Sequence, residues 1–433
     1  MDSAQPPSFR DVILQNLLSL ATEEGINASG KDEAYGCIFG RDSALTILKI
    51  LKVHQKSPSP ELMRVCRRAL LTLCKLQGME TNIESGEEPG KFIHEFRKEK
   101  FEHLTSRSVK PWYLYPDGHL RNFDSLDSTP LILIALYKYW QVAGDNEFLM
   151  RVMPHVEMAI NWIITFGDKD KDGLIDYALE SDRRYGGLVV QSWTDSHESL
   201  RDVNGLFPKY PISPVEAQGY AWLALRLWSR FFSESAPSFA GKLESQAAQM
   251  KQMFNKLFIF EEDSLFEDGN FHFAGQAIDG NKRLIRTVTG NPLICLWAAD
   301  KSGKKTECII EDDFIESMVH RAFWSDLFDP DAGIRTMSIL SPTFNPNRDS
   351  YHNGSFWPVL NGLVSEGLEN FGFLDKADLL KKASLKPIYH FNSPIELYMK
   401  DDQGNFLEYL SPAGQTGCKV QAWSAASTLD WLT

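Results

Sequence analysis

The sequence has few cysteines, no long apolar run and no excess of basic residues. Its six cysteines are scattered through 433 residues and form no Cys-x-x-Cys pair, so we expect reduced core thiols and a cytosolic location. No apolar run approaches the roughly 20 residues of a membrane span. The N-terminus lacks a basic start followed by an apolar core, so no secretory signal is expected. A formal net charge of −13 argues against nucleic-acid and anionic-membrane partners, because both bind basic surfaces.

Common cofactor and metal signatures are also absent from the sequence. It contains no glycine-rich phosphate loop, no Gly-x-Ser-x-Gly elbow and no pair of histidines at metal-ligand spacing, so no cofactor is expected. The segment from Asp168 through Asp170 and Asp172 to Gly173 begins like a calcium loop. However, its twelfth position is Leu179, where a bidentate glutamate is expected. We therefore predict a solvated turn, no metal site, and catalysis that survives chelation.

The sequence is rich in helical patterns and in aromatic residues, which make up 12% of the chain. One domain covering 1–433 is favoured, because helical segments continue on both sides of every long loop. Helix pairs could stack as a solenoid or close into a ring, and the lack of a fixed repeat period disfavours the solenoid. Apolar residues recur at helical spacing in 9–24, 42–56, 60–77, 128–143, 148–166, 214–233, 237–258, 291–301, 311–325, 356–371, 374–385 and 421–432.

Two acids next to aromatic residues indicate chemistry on sugars. Asp195 lies in Gln-Ser-Trp-Thr-Asp-Ser, two residues after Trp193, and Glu408 lies in Phe-Leu-Glu-Tyr. Glycoside hydrolysis needs one protonated carboxyl group for the leaving oxygen and one ionised carboxylate for water or for the anomeric carbon. Aromatic rings raise the pKa of the first acid by desolvation and also stack on sugars. For a Trp-x-Asp at a helix start, the structural alternative is a packed ring with an N-cap.

Further loop segments combine charged, amide and aromatic residues. Arg41 and Asp42 could bind adjacent sugar hydroxyls, or they could be a solvated arginine beside an N-cap. Asp127 could be a simple cap. The segment Tyr-His-Asn-Gly-Ser-Phe-Trp-Pro at 351–358 packs three rings, an amide and a hydroxyl together, which favours a ligand-lining loop over a structural turn.

Taken in this order, the segments resemble those of the six-hairpin glycosidases, which have an all-α (α/α)6 barrel. The chain is most similar to bacterial amylo-α-1,6-glucosidase (glycogen-debranching) proteins, and next to the mannosylglycerate and glucosylglycerate hydrolases. The resemblance extends from about Tyr35 to Trp423. Six segments carry it: Phe-Gly-Arg-Asp at 39–42, Asp-Ser-Leu-Asp-Ser-Thr-Pro-Leu at 124–131, Gln-Ser-Trp-Thr-Asp-Ser at 191–196, Val-Glu-Ala-Gln-Gly-Tyr at 215–220, Tyr-His-Asn-Gly-Ser-Phe-Trp-Pro at 351–358 and Gln-Ala-Trp-Ser-Ala-Ala-Ser at 421–427.

The resemblance implies a glycoside hydrolase that inverts the configuration of an α-glycoside. The expected substrate is an α-glucoside such as an α-1,6-linked glucosyl unit, and the alternative is a glucosyl- or mannosylglycerate. Asp195 is the implied general acid and Glu408 the preferred base. The residues implied to bind the carbohydrate are Arg41, Asp42, Asp127, Trp193, Glu216, Gln218, Tyr351, His352, Trp357, Glu396 and Trp423.

Two questions stay open at this point. Glu396 is a second candidate for the base, because Pro394-Ile395-Glu396-Leu397 is similar to a Pro-Glu-Leu pattern of the debranching proteins. Glu408 is favoured because Glu-Tyr-x-x-Pro-x-Gly is similar to the base loop of the glycerate-glycoside hydrolases.

The same fold also hosts epimerases and lyases, although the scarcity of loop histidines weighs against an epimerase. A carbohydrate-binding protein without catalytic activity is the non-enzymatic alternative.

Overall fold

The structure is a computed structural model that describes residues 7–202, 204–263 and 270–433. Within these ranges it has twelve α-helices, the number expected from the apolar periodicity. The helices are α1 Phe9–Ser19, α2 Gly40–Lys56, α3 Pro60–Lys75, α4 Ser128–Ala143, α5 Asn146–Thr165, α6 Val215–Phe232, α7 Pro237–Leu257, α8 Ile294–Trp297, α9 Asp312–Ala322, α10 Pro358–Asn370, α11 Leu374–Phe391 and α12 Ala422–Trp431.

The even-numbered helices form a closed inner ring. Each packs against the next, from α2 through α4, α6, α8 and α10 to α12, and α12 packs back against α2. Five odd-numbered helices cover this ring: α1 lies on α12, α3 on α2, α5 on α4, α7 on α6 and α11 on α10. The predicted all-α class, an (α/α)6 barrel, is therefore confirmed.

Several helix boundaries differ from those expected. The helix expected at 291–301 is reduced to α8, because Asn291–Leu293 form a 3₁₀ turn whose second residue is Pro292, and Ala298 leaves the helical conformation. Helix α11 continues past its internal Pro387 to Phe391, where Asn392 in the left-handed conformation ends it. Helix α1 ends at Ser19, five residues before the expected end at residue 24.

The long loops contain short strands that the sequence periodicity did not predict, because most of them are too short to show an alternating pattern. Residues 264–269, within the expected loop 259–290, lie outside the described residues. The strands are β1 Ile38–Phe39, β2 Glu95–Arg97, β3 Leu120–Asn122, β4 Ser213–Pro214, β5 Ile259–Asp263, β6 Asn270–Ala274, β7 Ala277–Ile278, β8 Leu284–Ile285, β9 Phe328–Asp329, β10 Gly333–Ile334, β11 Tyr398–Lys400 and β12 Phe406–Glu408.

One apolar core extends from Ile13 in α1 to Leu429 in α12. We propose that residues 1–433 form one domain, because α12 packs back against α2 to close the ring and α1 also packs on α12. All six cysteines are free and buried. Among the described residues, no helix is both long enough and apolar enough to cross a membrane.

Candidate active site

One pocket lies where the inner helices begin. Helices α2, α10 and α12 start at or next to residues that line it, so these three N-termini share one mouth of the ring. Two loop segments, around residue 193 and around residue 351, complete the wall. The lining residues are Tyr35, Phe39, Arg41, Asp42, Trp193, Asp195, Tyr351, His352, Trp357, Glu396, Gln421 and Trp423.

Asp195, the expected general acid, lies in this pocket. Its Oδ2 accepts a hydrogen bond of 2.8 Å from Nη2 of Arg41. Burial raises the pKa of Asp195, and the charge of Arg41 opposes that rise without cancelling it. A carboxyl group with a raised pKa that still reaches the pocket has the properties of a proton donor.

Asp127 lies behind Arg41 and not at the pocket. It is fully buried, and its Oδ2 accepts a hydrogen bond of 3.1 Å from Nη1 of Arg41. Its Oδ1 accepts a bond of 2.6 Å from the Ser125 hydroxyl. Although Asp127 precedes the first residue of α4, its side chain makes no capping hydrogen bond. The Asp127 carboxylate therefore orients Arg41 and lies outside the pocket at which its sugar contact was expected.

Glu396 is the second carboxylate that lines the pocket. Its Oε1 accepts a 2.5 Å hydrogen bond from the Tyr351 hydroxyl, and its Oε2 accepts one of 2.7 Å from the backbone amide of Cys418. Burial raises the pKa of Glu396 to about 7, although these two donors lower it. A carboxylate held by two donors and titrating near neutral pH suits a general base.

Glu408, the base preferred from the sequence, lines neither this pocket nor the wider cavity beside it. It ends strand β12, is partly exposed, and pairs across the hairpin with Tyr398. The adjacent Tyr409 does face the wider cavity and contacts the ring of Tyr351. Successive side chains of an extended strand point to opposite sides, which accounts for the placement of Glu408 away from the pocket that contains Asp195.

Asp42 occupies the third position of α2 and makes no capping bond, so it is not the N-cap that the structural alternative suggested. Its Oδ1 accepts a hydrogen bond of 3.3 Å from Gln421 at the start of α12. Burial raises the pKa of Asp42 to about 7, and Arg41 opposes that rise. Asp42 therefore lines the pocket as expected, and it also joins the first and last inner helices.

Glu216 and Gln218 are fully buried and lie outside the pocket at which their sugar contacts were expected. Gln218 uses its amide to hold backbone: Oε1 accepts from the Ile175 amide, and Nε2 donates to the carbonyl oxygens of Ile175 and Pro214. Neither carboxylate oxygen of Glu216 has a hydrogen-bond partner among the described residues. Burial, with the charge of Asp127 adding to it, raises the pKa of Glu216 to about 7.

Aromatic rings form the wall of the pocket. The His352 ring stacks on Trp357 with centroids 5.0 Å apart, and Trp193 meets Trp357 edge to face at 5.7 Å. The Ser196 amide donates to Nδ1 of His352 at 3.3 Å, so the ring proton of the neutral imidazole resides on Nε2. Burial lowers the pKa of His352 well below its usual value, which keeps the ring neutral.

Several polar atoms on the pocket residues have no partner among the described residues. A buried polar group without a hydrogen bond costs about 1–3 kcal/mol, so a cluster of such groups indicates a polar ligand. Sugar hydroxyls both donate and accept, and they match this mixed set. The atoms are Nε of Arg41, Nε1 of Trp193, Nε2 of His352, Oε1 of Gln421 and Nε1 of Trp423.

A wider cavity of about 550 Å³ opens beside the pocket. The two share Tyr35, Tyr351 and His352, so they are contiguous. Sequence reasoning missed Tyr35, Phe39 and Gln421 as lining residues. The motifs that contain Trp423 and Arg41 could have identified Gln421 and Phe39, whereas Tyr35 belongs to no motif that would single it out.

Comparison with known proteins gives three findings. Residues 262–424 match the mannosylglycerate hydrolase MGH1-like glycoside hydrolase domain. Glucosylglycerate hydrolase from Mycolicibacterium hassiacum is 33% identical over 101 residues, which is 23% of this chain and 19% of that protein, so the match spans about a fifth of the relative's length. The GH63 mannosylglycerate hydrolase of Thermus thermophilus, in complex with Tris, superposes with a TM-score of 0.62 at 13% identity over 98% of this chain and 100% of that chain.

The same Thermus enzyme in complex with Tris and D-glycerate gives a TM-score of 0.62 at 14% identity, over 98% of this chain and 100% of that one. These likenesses confirm the fold, and together with the matched domain they confirm the predicted resemblance to six-hairpin glycosidases. The fold, and the domain that residues 262–424 match, are those of glycoside hydrolases.

Proposed function

We propose that this protein is an inverting α-glycoside hydrolase that acts on a small glycoside of glycerate. One observation carries the proposal: Asp195 and Glu396, which come from segments far apart in sequence, line the same pocket, and the pKa of each is raised. Glycoside hydrolysis with inversion uses two such carboxyl groups, with a water molecule between one of them and the sugar.

In the proposed reaction, protonated Asp195 donates its proton to the glycosidic oxygen as the bond to the anomeric carbon breaks. Ionised Glu396 takes a proton from a water molecule whose oxygen attacks that carbon from the opposite face. The products are the free alcohol and a sugar of inverted anomeric configuration, with Asp195 ionised and Glu396 protonated. Exchange with solvent then restores both groups.

The remaining pocket residues hold the sugar ring. Arg41 and Asp42 offer a donor and an acceptor close together, and the indole and imidazole N–H groups without partners offer further donors. The ring cluster of Trp193, His352 and Trp357 presents apolar surface on which the C–H face of a sugar can pack.

The named relatives favour glycerate glycosides over the α-1,6-linked glucosyl unit preferred from the sequence. One relative is called a glucosylglycerate hydrolase and the other a mannosylglycerate hydrolase. We therefore rank glucosylglycerate and mannosylglycerate first as substrates.

Purified protein incubated with glucosylglycerate, mannosylglycerate, isomaltose and panose tests the proposal. We expect turnover of a glycerate glycoside, with the β-anomer of the sugar as the first product seen by NMR. Asp195→Asn is the matched control and should be inactive on all of them. If the α-anomer forms first, inversion is wrong. Binding without turnover by the wild-type protein would support the inactive carbohydrate-binding alternative.

An α-1,6-glucosidase of the glycogen-debranching type is the second candidate, and two observations favour it. Glu396 belongs to the Pro-Ile-Glu-Leu segment that is similar to those proteins, and it lines the pocket. The cavity of about 550 Å³ is also large for a three-carbon leaving group. Hydrolysis of isomaltose or panose without turnover of either glycerate glycoside would favour this candidate.

We also propose a cytosolic location, because all six thiols are free and buried in the folded chain. Fractionation of the native host, with detection of the protein by antibody, tests this location. Recovery in the membrane or secreted fraction would contradict it.

A further inference from the structure

We propose that Asp168, Asp170 and Asp176 bind one calcium ion, at a site separate from the sugar pocket. The sequence argued against a calcium loop because the twelfth position is Leu179. The tertiary structure brings in a different third carboxylate, Asp176, which is the ninth position of that loop.

The spacing of the ligand atoms fits one ion. Asp168, Asp170 and Asp176 each offer one carboxylate oxygen, and these oxygens all lie within 4.8 Å of one another. Calcium binds oxygen ligands at about 2.3–2.6 Å, so two ligands of one ion are separated by at most about 5 Å. Three carboxylates at this separation can therefore share one calcium ion.

Asp176 also has an unpartnered oxygen. Its side chain is 1% exposed, and its Oδ2 has no hydrogen-bond partner among the described residues, whereas its Oδ1 accepts from the Lys169 amide. Burying an ionised carboxylate with one oxygen left without a hydrogen bond is costly. A cation would remove this cost.

The neighbouring lysines leave an excess of negative charge. Lys282 contacts Asp170 and Asp172 with its ammonium group. The ammonium group of Lys169 pairs with Glu88 and Glu180 instead of the loop carboxylates, and that of Lys171 donates to the carbonyl of Thr165. One lysine therefore faces four loop carboxylates, namely Asp168, Asp170, Asp172 and Asp176.

The loop is connected to the barrel through Ile175, which follows Asp168 by seven positions. Both the amide and the carbonyl of Ile175 are held by the Gln218 side chain on α6. An ion that fixes the loop would thereby stabilise the start of α6. The ion does not touch the pocket that contains Asp195, so its effect is expected on stability and not on the chemical step.

The test compares the full chain in excess EGTA with the full chain in saturating calcium. We expect calcium to raise the Tm of the wild-type protein by at least about 3 °C, because a ligand that binds only the folded state stabilises it. Asp176→Asn should lose most of this shift. In EGTA the variant should be at least as stable as the wild type, because it removes an uncompensated buried carboxylate. The matched control is Asp182→Asn, which changes an exposed residue of a nearby turn. This variant should keep the calcium-induced rise in Tm of the wild type.

Titration calorimetry of the wild-type protein with calcium chloride gives a second readout that does not depend on any variant. One binding site per chain is expected, with weaker binding of magnesium. No binding heat together with no Tm shift in the wild type would overturn the proposal. An equal calcium shift in Asp176→Asn and in wild type would also overturn it.

Discussion

Glu396 and Glu408 border the same hairpin, but they have different surroundings. Glu396 receives hydrogen bonds from Tyr351 and from the Cys418 amide inside the pocket, whereas Glu408 is partly exposed outside it. We expect Glu396→Gln to lower kcat by about 10²–10⁴-fold and to leave substrate binding largely intact. Glu408→Gln is the matched control and should keep near-normal turnover. Steady-state kinetics and calorimetric binding on both variants check this. The opposite pattern would restore Glu408 as the base.

The Tyr351 hydroxyl lowers the pKa of the proposed base, Glu396. This hydroxyl stabilises the ionised form of Glu396 and so lowers a pKa that burial has raised to about 7. In Tyr351→Phe that donor is lost, so the pKa should rise and the acidic limb of the kcat/KM profile should move to higher pH. Tyr409→Phe is the control, because its ring contacts Tyr351 without being the hydrogen-bond donor to Glu396. An unchanged acidic limb in Tyr351→Phe would argue against Glu396 as the titrating group.

At the scale of elements, close packing of α10 on α12 depends on Gly362. A Cβ atom there would lie 2.7 Å from Cβ of Ser427 on α12, closer than such atoms pack. We expect Gly362→Ala to destabilise the fold by about 1–3 kcal/mol, measured by urea denaturation. Gly241→Ala on the outer helix α7 is the matched control, since a Cβ there meets nothing within 4 Å. That change should stabilise by about 0.5–1 kcal/mol. Equal effects of the two changes would show that the inner ring tolerates expansion here.

The second residue of helix α6 is Glu216, and burial raises the pKa of its carboxyl group from the usual value of 4.5 to about 7. The folded chain therefore keeps a proton that the unfolded chain releases, and stability is lost as pH rises from about 4.5 to above 7. Glu216→Gln should remove this loss and gain on the order of 2 kcal/mol relative to wild type at pH 8, with much less gain at pH 5. Denaturation curves at both pH values check the difference. A gain of equal size at both pH values would exclude the titration of Glu216 as the cause.

At the scale of the whole molecule, ion pairs close the ring on the side away from the pocket. Asp430 of α12 contacts Lys49, Lys52 and Lys56 of α2, and Lys49 also pairs with Glu366 of α10. Although burial raises the pKa of Asp430, these lysines lower it well below its usual value. Its contribution to stability is thus present above about pH 4 and disappears as pH falls further.

Asp430→Asn should lower the Tm at pH 7 and make the loss of stability between about pH 4 and pH 2 less steep than in wild type. Thermal melts across this range check the prediction. The exposed Asp402 provides the control, since Asp402→Asn should leave both the Tm and its pH dependence unchanged. A parallel acid-induced loss in Asp430→Asn and wild type would indicate that this ion-pair cluster does not control acid stability.

The sequence alone determined the helices and the segments that carry the chemistry. Apolar periodicity reports which side of a helix is buried, and that local signal located all twelve helices, with errors where Pro292 and Asn392 set the boundaries. The motifs around Arg41, Trp357 and Trp423 also lie at the pocket, because they are at the start of helices that converge at one mouth, and the loop that contains Asp195 completes the wall. For these residues, the local sequence pattern was sufficient to predict that they lie at the pocket.

Only the tertiary structure decided which of the remaining acids reach the pocket. Asp127, Glu216 and Glu396 all belong to motifs, but the first two are buried behind the pocket and only the third lines it. Strand alternation directed Glu408 away, and loop folding brought Asp176 to Asp168. Whether a carboxyl group touches sugar, orients an arginine or shares a cation depends on which residues from distant segments surround it. Ring closure fixes those neighbours, and it involves contacts between residues hundreds of positions apart, which no local pattern encodes.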